Sequence, residues 1–335
     1  MSKLGFVCQR YDPRMNPLLE AEPPVIICVE NPGLMGSLKS IAPNAIYLYR
    51  DWMPGQPLDN PKAAAEAKVK ALEPVLGLGY AGVQLYNEVE QSQLDVAKRL
   101  RDFQLYCLDA LQKKGMPVSV DNDSTWHPHF PLDWPALWEI KAEVYAHPNA
   151  HWRDRHEYLP AVHYTGDNAG WLRHGAEIDW LRANGKRVPP HIIGEWGWDK
   201  GPPVGPWAMG VAAADWLQGL KDYDALVAPN PDVVAYCYFG LGLDMAWLNY
   251  DLISPKAPRG LIPALVEWMK QIPAPTPPVP QPAPAPQPSP APPPISGPYA
   301  KFERPEKDNG QGIHFPGEIG PARMPGWVKS CQEMK

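Results

Sequence analysis

The sequence of residues 1–272 predicts a (β/α)8 barrel, and three observations support this. Eight short apolar runs alternate with longer segments, several of which have apolar residues at helical spacing. The runs are continuously apolar, which is typical of parallel strands covered by helices on their faces. Eight strand–helix units in about 270 residues match the usual size of this barrel. A doubly wound open sheet is the alternative, but no glycine-rich phosphate-binding turn follows the first run.

The apolar runs themselves are the predicted strands. In chain order they cover residues 4–9, 25–30, 45–50, 82–88, 117–123, 159–164, 191–196 and 233–239. Four of the intervening or following segments have clear helical patterns. They cover residues 61–79, 92–115, 207–226 and 262–272.

A proline-rich segment follows the predicted barrel. About half of residues 273–298 are proline, so this segment can form neither a helix nor a sheet ladder. It is expected to be an extended, semi-rigid linker. Residues 299–335 are rich in glycine, proline and charge and too few to bury much of a core. We expect them to form a short irregular tail, which is a candidate for docking to another protein or surface.

Composition excludes several classes of partner. The formal net charge is -6, with acidic and basic residues mixed along the chain, so no basic stripe indicates a nucleic-acid partner. No segment approaches the roughly 18 apolar residues of a membrane span. The first residues contain no apolar core of a classical secretion signal, so action outside the cell would require another route or lysis. The five cysteines have no paired spacing, which predicts reduced, packed thiols.

Two glutamates stand at the ends of predicted strands. Glu88 ends the fourth strand and Glu195 lies near the end of the seventh. The active site of a (β/α)8 barrel assembles at the carboxyl ends of its strands, and strands four and seven lie nearly opposite each other. The two carboxylates are therefore expected to face each other across the mouth of the barrel. Such a pair can hydrolyse a glycosidic bond, since one protonates the leaving oxygen and the other attacks or activates water.

Asn87 and Glu88 at the end of strand four, with Glu195 at strand seven, resemble the clan A retaining glycoside hydrolases. The resemblance covers residues 1–272. It implies that Glu88 is the general acid/base, Glu195 the nucleophile and Asn87 a ligand of the sugar 2-hydroxyl. It also implies a β-linked polysaccharide or oligosaccharide as substrate and no cofactor. Cellulose, mannan, other plant β-glycans and bacterial cell-wall glycan all stay open.

The predicted sixth strand adds two candidates. Many members of this clan carry a histidine and a tyrosine there, usually with one residue between them, and the tyrosine orients the nucleophile. His163 and Tyr164 are the residues that this resemblance selects. They are adjacent, so alternation along a strand points their side chains to opposite sides of it. We favour Tyr164 as the site residue; for His163 a role in the site and a structural role both stay open. Arg50, at the end of strand three, is a candidate donor to the nucleophile, with a surface salt bridge as its alternative.

Aromatic rings follow many of the predicted strands. Sugar rings present flat C–H faces that pack on indoles, so these rings are predicted substrate platforms. The candidates are Trp52, Trp126, Trp171, Trp196, Trp198, Tyr238 and Trp247. Tryptophans inside helical patterns are predicted to be core residues instead. These are Trp138, Trp180, Trp216 and Trp268.

An acid/base must hold a proton near neutral pH, so the pKa of Glu88 is expected to be raised by burial and by the charge of Glu195.

No metal is predicted, because the histidines match no common zinc spacing. His147, His151 and His156 are interpreted as surface or capping residues. A barrel that only binds glycan, or that serves as a structural component of a virion or surface, is the alternative function.

Overall fold

Eight parallel strands close into a barrel in the computed structural model. The model describes residues 2–51, 55–91, 93–124, 134–160, 172–199 and 205–271. Each strand pairs with the next along the chain, and the last pairs with the first. The strands are β1 (Leu4–Cys8), β2 (Val25–Val29), β3 (Ile46–Arg50), β4 (Gly82–Gln84), β5 (Val118–Asp123), β6 (Ala150–Pro160), β7 (His191–Asp199) and β8 (Val233–Leu241). The predicted (β/α)8 fold is confirmed.

A helix follows each strand. The helices are α1 (Asn16–Leu19), α2 (Leu34–Lys39), α3 (Pro61–Ala71), α4 (Leu94–Gln112), α5 (Trp134–Tyr145), α6 (Arg173–Ala183), α7 (Ala213–Val227) and α8 (Leu261–Gln271). Local sequence sets some of these boundaries: the Asn60 side chain accepts a hydrogen bond from the Ala63 amide at 3.1 Å and caps α3, whose first residue is Pro61. Among the described residues, no helix has the length and apolar character to cross a membrane. The predicted linker and tail lie outside the described residues.

The sixth strand differs most from its prediction. It begins at Ala150 and ends at Pro160, whereas the apolar pattern placed it at residues 159–164. The cause is its composition, because charged residues occupy both faces of β6 and hide the apolar signal. Arg153, Arg155 and Glu157 contact residues on the helical side, and Asp154 and His156 point into the barrel.

The barrel interior has an apolar part and a polar part. Apolar side chains fill the part nearer the amino ends of the strands; they are Val7, Val25, Ile27, Leu48, Ile192, Ala235 and Cys237. Toward the carboxyl ends, four fully or almost fully buried polar side chains replace them: Arg50, Gln84, Asp154 and His156. The four described cysteines, Cys8, Cys28, Cys107 and Cys237, are buried and free, and Cys331 lies outside the described residues. This polar layer supports the candidate site above it.

A buried ionic network lies between strands β5 and β6 and the helices outside them. Glu177 on α6 accepts two hydrogen bonds from the Arg153 guanidinium, at 3.0 and 2.8 Å. Burial raises the pKa of Glu177, but the charges of Arg153 and Lys141 outweigh it and hold the pKa well below its usual range. Asp123 contacts both Lys141 and Arg153, so the network links two strands to two helices.

Replacing Glu177 with Ala should lower the free energy of unfolding by about 3–5 kcal/mol, because Arg153 then loses its bidentate partner inside the protein. Urea denaturation measures this difference. The matched control is Glu66→Ala on the exposed face of α3, which should change stability by no more than about 0.5 kcal/mol. Equal effects of the two substitutions would contradict a structural role for the network.

Candidate active site

A cavity of about 510 Å³ opens at the carboxyl ends of the strands. The described residues around it combine carboxylates, one guanidinium and aromatic rings. They are Gln9, Val29, Glu30, Arg50, Asn87, Glu88, Tyr158, Glu195, Phe239, Asp244, Trp247 and Tyr250. The cavity therefore contains both glutamates that the sequence placed at strand ends.

Glu88 and Glu195 lie close together in this cavity. One oxygen of each carboxylate and one ring nitrogen of His156 all lie within 4.8 Å of one another. Glu195 projects from β7 with a side chain that is 10% exposed, whereas Glu88, four residues beyond β4, is 40% exposed. The backbone of Glu88 lies in the left-handed region, with φ of 57°, and the Glu88 amide donates to the carbonyl of Asn122 at 2.7 Å. The two carboxylates thus have different surroundings.

Among the described residues, two side chains donate hydrogen bonds to the Glu195 carboxylate. The Tyr158 hydroxyl donates to Oε2 at 2.7 Å, and the Arg50 guanidinium donates to Oε1. Burial lowers the pKa of Arg50, but Glu195 and Asp154 outweigh it and the pKa is raised above its usual value. A charged guanidinium on one oxygen and a phenol on the other hold this carboxylate in one orientation. Arg50 therefore contacts the proposed nucleophile from within the barrel and is not part of a surface salt bridge.

His156 lies between the two glutamates. Its Nδ1 is 2.8 Å from Oε1 of Glu88 and 3.5 Å from Oε2 of Glu195, and its Nε2 is 3.3 Å from the Arg50 guanidinium. Burial lowers the pKa of His156, but the two carboxylates outweigh it and raise the pKa above its usual value. The imidazole thus hydrogen-bonds to Glu88 and lies within ion-pair distance of Glu195.

The pKa of Glu88 is lowered, so the expectation of a raised pKa was wrong. Burial does raise it, as expected, but the hydrogen bond and charge of His156 and the charge of Arg50 lower it further. The sequence argument counted the negative charge of Glu195 and burial. It did not include the two cationic groups that the fold brings beside Glu88.

His156 and Tyr158 are functional candidates that the sequence analysis missed. Both lie on β6, two residues apart, so alternation points both side chains into the barrel. Their spacing, with one residue between histidine and tyrosine, is the one that the resemblance implied. The apolar run at residues 159–164 drew the prediction to His163 and Tyr164, which lie outside the described residues. The interpretation of His156 as a surface or capping residue was wrong, since its side chain is fully buried.

The predicted platforms divide into three groups. Trp247 lines the cavity beside Phe239 and Tyr250, with ring centroids 5.3 and 5.8 Å away. Trp52, Trp126 and Trp171 lie outside the described residues. The remaining candidates are buried and do not appear among the described residues lining the cavity; they are Trp196, Trp198 and Tyr238.

The expectation for Trp196, Trp198 and Tyr238 was therefore wrong. Because Glu195 points into the mouth, strand alternation turns Trp196 and Trp198 toward the helices. Trp196 packs there against Tyr223 of α7, with ring centroids 5.2 Å apart. The Tyr238 hydroxyl donates to the carbonyl of Tyr250 at 2.7 Å. All three stabilise the layer between the barrel and its helices.

Asn87 lines the cavity next to Glu88. Its backbone carbonyl accepts a hydrogen bond from Gln56 at 2.6 Å. Its side-chain oxygen is buried and has no hydrogen-bond partner among the described residues. A buried acceptor of this kind is costly unless water or a ligand supplies a donor. A sugar hydroxyl is one such donor.

Glu88, His156 and Glu195 also have the composition of a metal-ligand set. The Arg50 guanidinium contacts Glu195 and lies 3.3 Å from Nε2 of His156, so a positive charge already lies beside this group.

Comparisons with known proteins support the architecture. No family model matches the sequence, and no curated protein matches it either. A GH128 (subgroup I) endo-beta-1,3-glucanase from Amycolatopsis mediterranei, solved with laminarihexaose, superposes with a TM-score of 0.50 at 14% identity, over 80% of this chain and 99% of that one. A GH2 beta-galacturonidase from Eisenbergiella tayi gives a TM-score of 0.54 at 10% identity, over 81% of this chain and 51% of that one. The chain has the (β/α)8 fold of these glycoside hydrolases.

Replacing His156 with Asn should raise the pKa of Glu88. The substitution removes the residue that lowers this pKa most, whereas the burial that raises it remains. Carboxyl ¹³C NMR titration of the glutamates, assigned with a Glu88→Gln variant, measures the change. The control is His147→Asn; this histidine pairs with Asp109 and should leave Glu88 unaffected. An unchanged or lower pKa of Glu88 in the His156 variant would contradict the assignment.

Proposed function

We propose that the barrel hydrolyses a β-linked glycan by a retaining double displacement, with Glu195 as nucleophile and Glu88 as general acid/base. The observation that carries this proposal is the pair of carboxylates in one cavity, one held by Arg50 and Tyr158 and the other by His156. One oxygen of Glu88 and one of Glu195 lie within 4.8 Å of each other, so both carboxylates can reach the same glycosidic bond. In retaining enzymes the two carboxyl groups are about 5–5.5 Å apart.

In the first step, Glu195 attacks the anomeric carbon while the bond to the leaving oxygen breaks. Glu88 donates its proton to that oxygen, so the leaving group departs as a neutral alcohol. Arg50 and Tyr158 hold the attacking carboxylate in one orientation. The product of this step is a glycosyl ester on Glu195.

In the second step, Glu88 removes a proton from water and the water oxygen attacks the anomeric carbon. The ester bond breaks and Glu195 leaves as a carboxylate, which Arg50 and Tyr158 again stabilise. Two inversions give a product with the original anomeric configuration.

The lowered pKa of Glu88 requires a source for the proton that it donates. The hydrogen bond of 2.8 Å to His156 supplies one, because a protonated His156 can pass its Nδ1 proton to the carboxylate, which leaves a neutral imidazole and a neutral carboxylic acid. When a glycan excludes water from the cavity, the neutral carboxylic acid is favoured over the separated charges. In this proposal His156 holds the proton, and Glu88 delivers it to the leaving oxygen.

Substrate contacts are assigned to Asn87 and Trp247. The side-chain oxygen of Asn87, which has no hydrogen-bond partner among the described residues, lies in the cavity beside Glu88 and can accept a hydrogen bond from the sugar 2-hydroxyl. The indole of Trp247 offers an apolar face for a sugar ring. The substrate panel includes β-1,3-glucan, since a similar fold was solved with laminarihexaose. Cellulose, mannan and cell-wall glycan complete it.

Replacing Glu195 with Ala should abolish turnover of every substrate, because the nucleophile is removed, and added azide should not restore the original anomer. Replacing Glu88 with Ala should lower the rate on natural glycans by about 10²–10⁴-fold. It should spare the first step with activated aryl glycosides, whose leaving group needs no proton. Release of the aryl group, followed by stopped-flow absorbance, separates the two variants.

Glu66→Ala, on the exposed face of α3, serves as the control and should retain full activity. Turnover that survives in Glu195→Ala would contradict the proposed role of this residue. Glycan binding by the wild type without any turnover would favour a barrel that only binds.

A further inference from the structure

Asp154 is a fully buried carboxylate beneath the candidate site. It lies on β6, two residues before His156, and points into the barrel. It is not among the described residues that line the cavity. The proposed reaction gives it no role, although its side chain contacts the surroundings of the nucleophile along two separate routes.

The first route is through the backbone of β7. Oδ1 of Asp154 accepts a hydrogen bond from the amide of Gly194 at 3.0 Å, and Gly194 immediately precedes Glu195. A Cβ atom at Gly194 would collide with the carboxylate, so only glycine permits this approach. The pairing of β7 with β8 changes register between Ile193 and Trp196. Such irregularities redirect side chains, and here the one redirected is Glu195.

The second route is through the Arg50 guanidinium. Gln84 donates from Nε2 to Oδ2 of Asp154 and accepts at Oε1 from Nε of Arg50 at 2.6 Å. Oδ2 of Asp154 is also 3.9 Å from Nη2 of Arg50. The guanidinium is thus fixed from below by Gln84 and Asp154 while it donates to Glu195 above.

We propose that Asp154 is a positioning residue that fixes the nucleophile Glu195 through both its backbone and its cationic partner. The inference rests on the proposed function, because it assigns Asp154 to the attack of Glu195. Both Asp154 and Gln84 are fully buried, so their hydrogen bonds leave few alternative positions for Arg50. Burial raises the pKa of Asp154 to about 6, against the opposing charges of Arg50 and His156.

A donor–acceptor exchange tests this role. Asp154→Asn places an amide donor against the Gln84 amide donor, and Gln84→Glu alone places two carboxylates together. The double variant restores one donor facing one acceptor and keeps the total charge. If positioning is the role, each single substitution should slow glycosylation of Glu195 by about 10²-fold, and the double variant should recover most of that loss.

The measurement is the rate of inactivation by an activated 2-fluoro glycoside of the sugar that the wild type hydrolyses, because this reagent traps the ester on the nucleophile. The maximal inactivation rate should fall in the single variants while the inactivator concentration for half-maximal rate stays unchanged. Asp224→Asn is the control: this buried carboxylate accepts from the Tyr236 hydroxyl at 2.8 Å, on the helical side of the barrel. It should lower thermal stability without changing the inactivation rate.

Unchanged inactivation rates in the single variants, or a double variant no faster than the single ones, would overturn the proposal. Crystal structures of the wild type and Asp154→Ala provide a test that needs no turnover. Loss of the Arg50–Glu195 contact in the variant supports positioning, and an unmoved Arg50 and Glu195 overturn it. If the wild type hydrolyses no glycan, the proposed function fails, and the crystal structures alone decide the positioning role.

Discussion

The burial of the Arg50 guanidinium inside the barrel is the constraint on which the site depends. A cation removed from water is stable only when charges and acceptors surround it, and Arg50 has Glu195, Gln84 and Asp154 around it. These partners come from β7, β4 and β6, so one side chain joins strands from opposite sides of the barrel. The polar layer that satisfies Arg50 is also the layer that presents Glu195 to the cavity.

Strand β6 connects this layer to the rest of the protein. Its inward residues, Asp154, His156 and Tyr158, contact the site, while its outward residues join the buried ionic network that includes Glu177. Charges that are buried on both faces must keep their partners, so a small displacement of the strand breaks several contacts at once. The network outside the barrel therefore restricts the position of the groups inside it.

The sequence analysis predicted the barrel and the presence of both glutamates at its mouth, because most of the strands are continuous apolar runs, which are local features. Glu88, however, lies four residues beyond β4 and not at its end. The prediction failed where the outcome depends on contacts between residues that are far apart in the sequence. The charged faces of β6 have no apolar pattern, so His156 and Tyr158 were missed. The lowered pKa of Glu88 depends on cationic groups from β3 and β6. The orientation of Trp196 was predictable in principle, since strand alternation opposes it to Glu195.

The central claim is that Glu195 attacks the sugar directly while Glu88 transfers the proton. The anomeric configuration of the first product tests it most directly. Proton NMR of a β-glycan from the panel, followed from the moment the wild-type enzyme is added, should show the β-anomer first and the α-anomer only later through mutarotation. Initial appearance of the α-anomer would mean that water, and not Glu195, attacks the anomeric carbon, and would contradict the account.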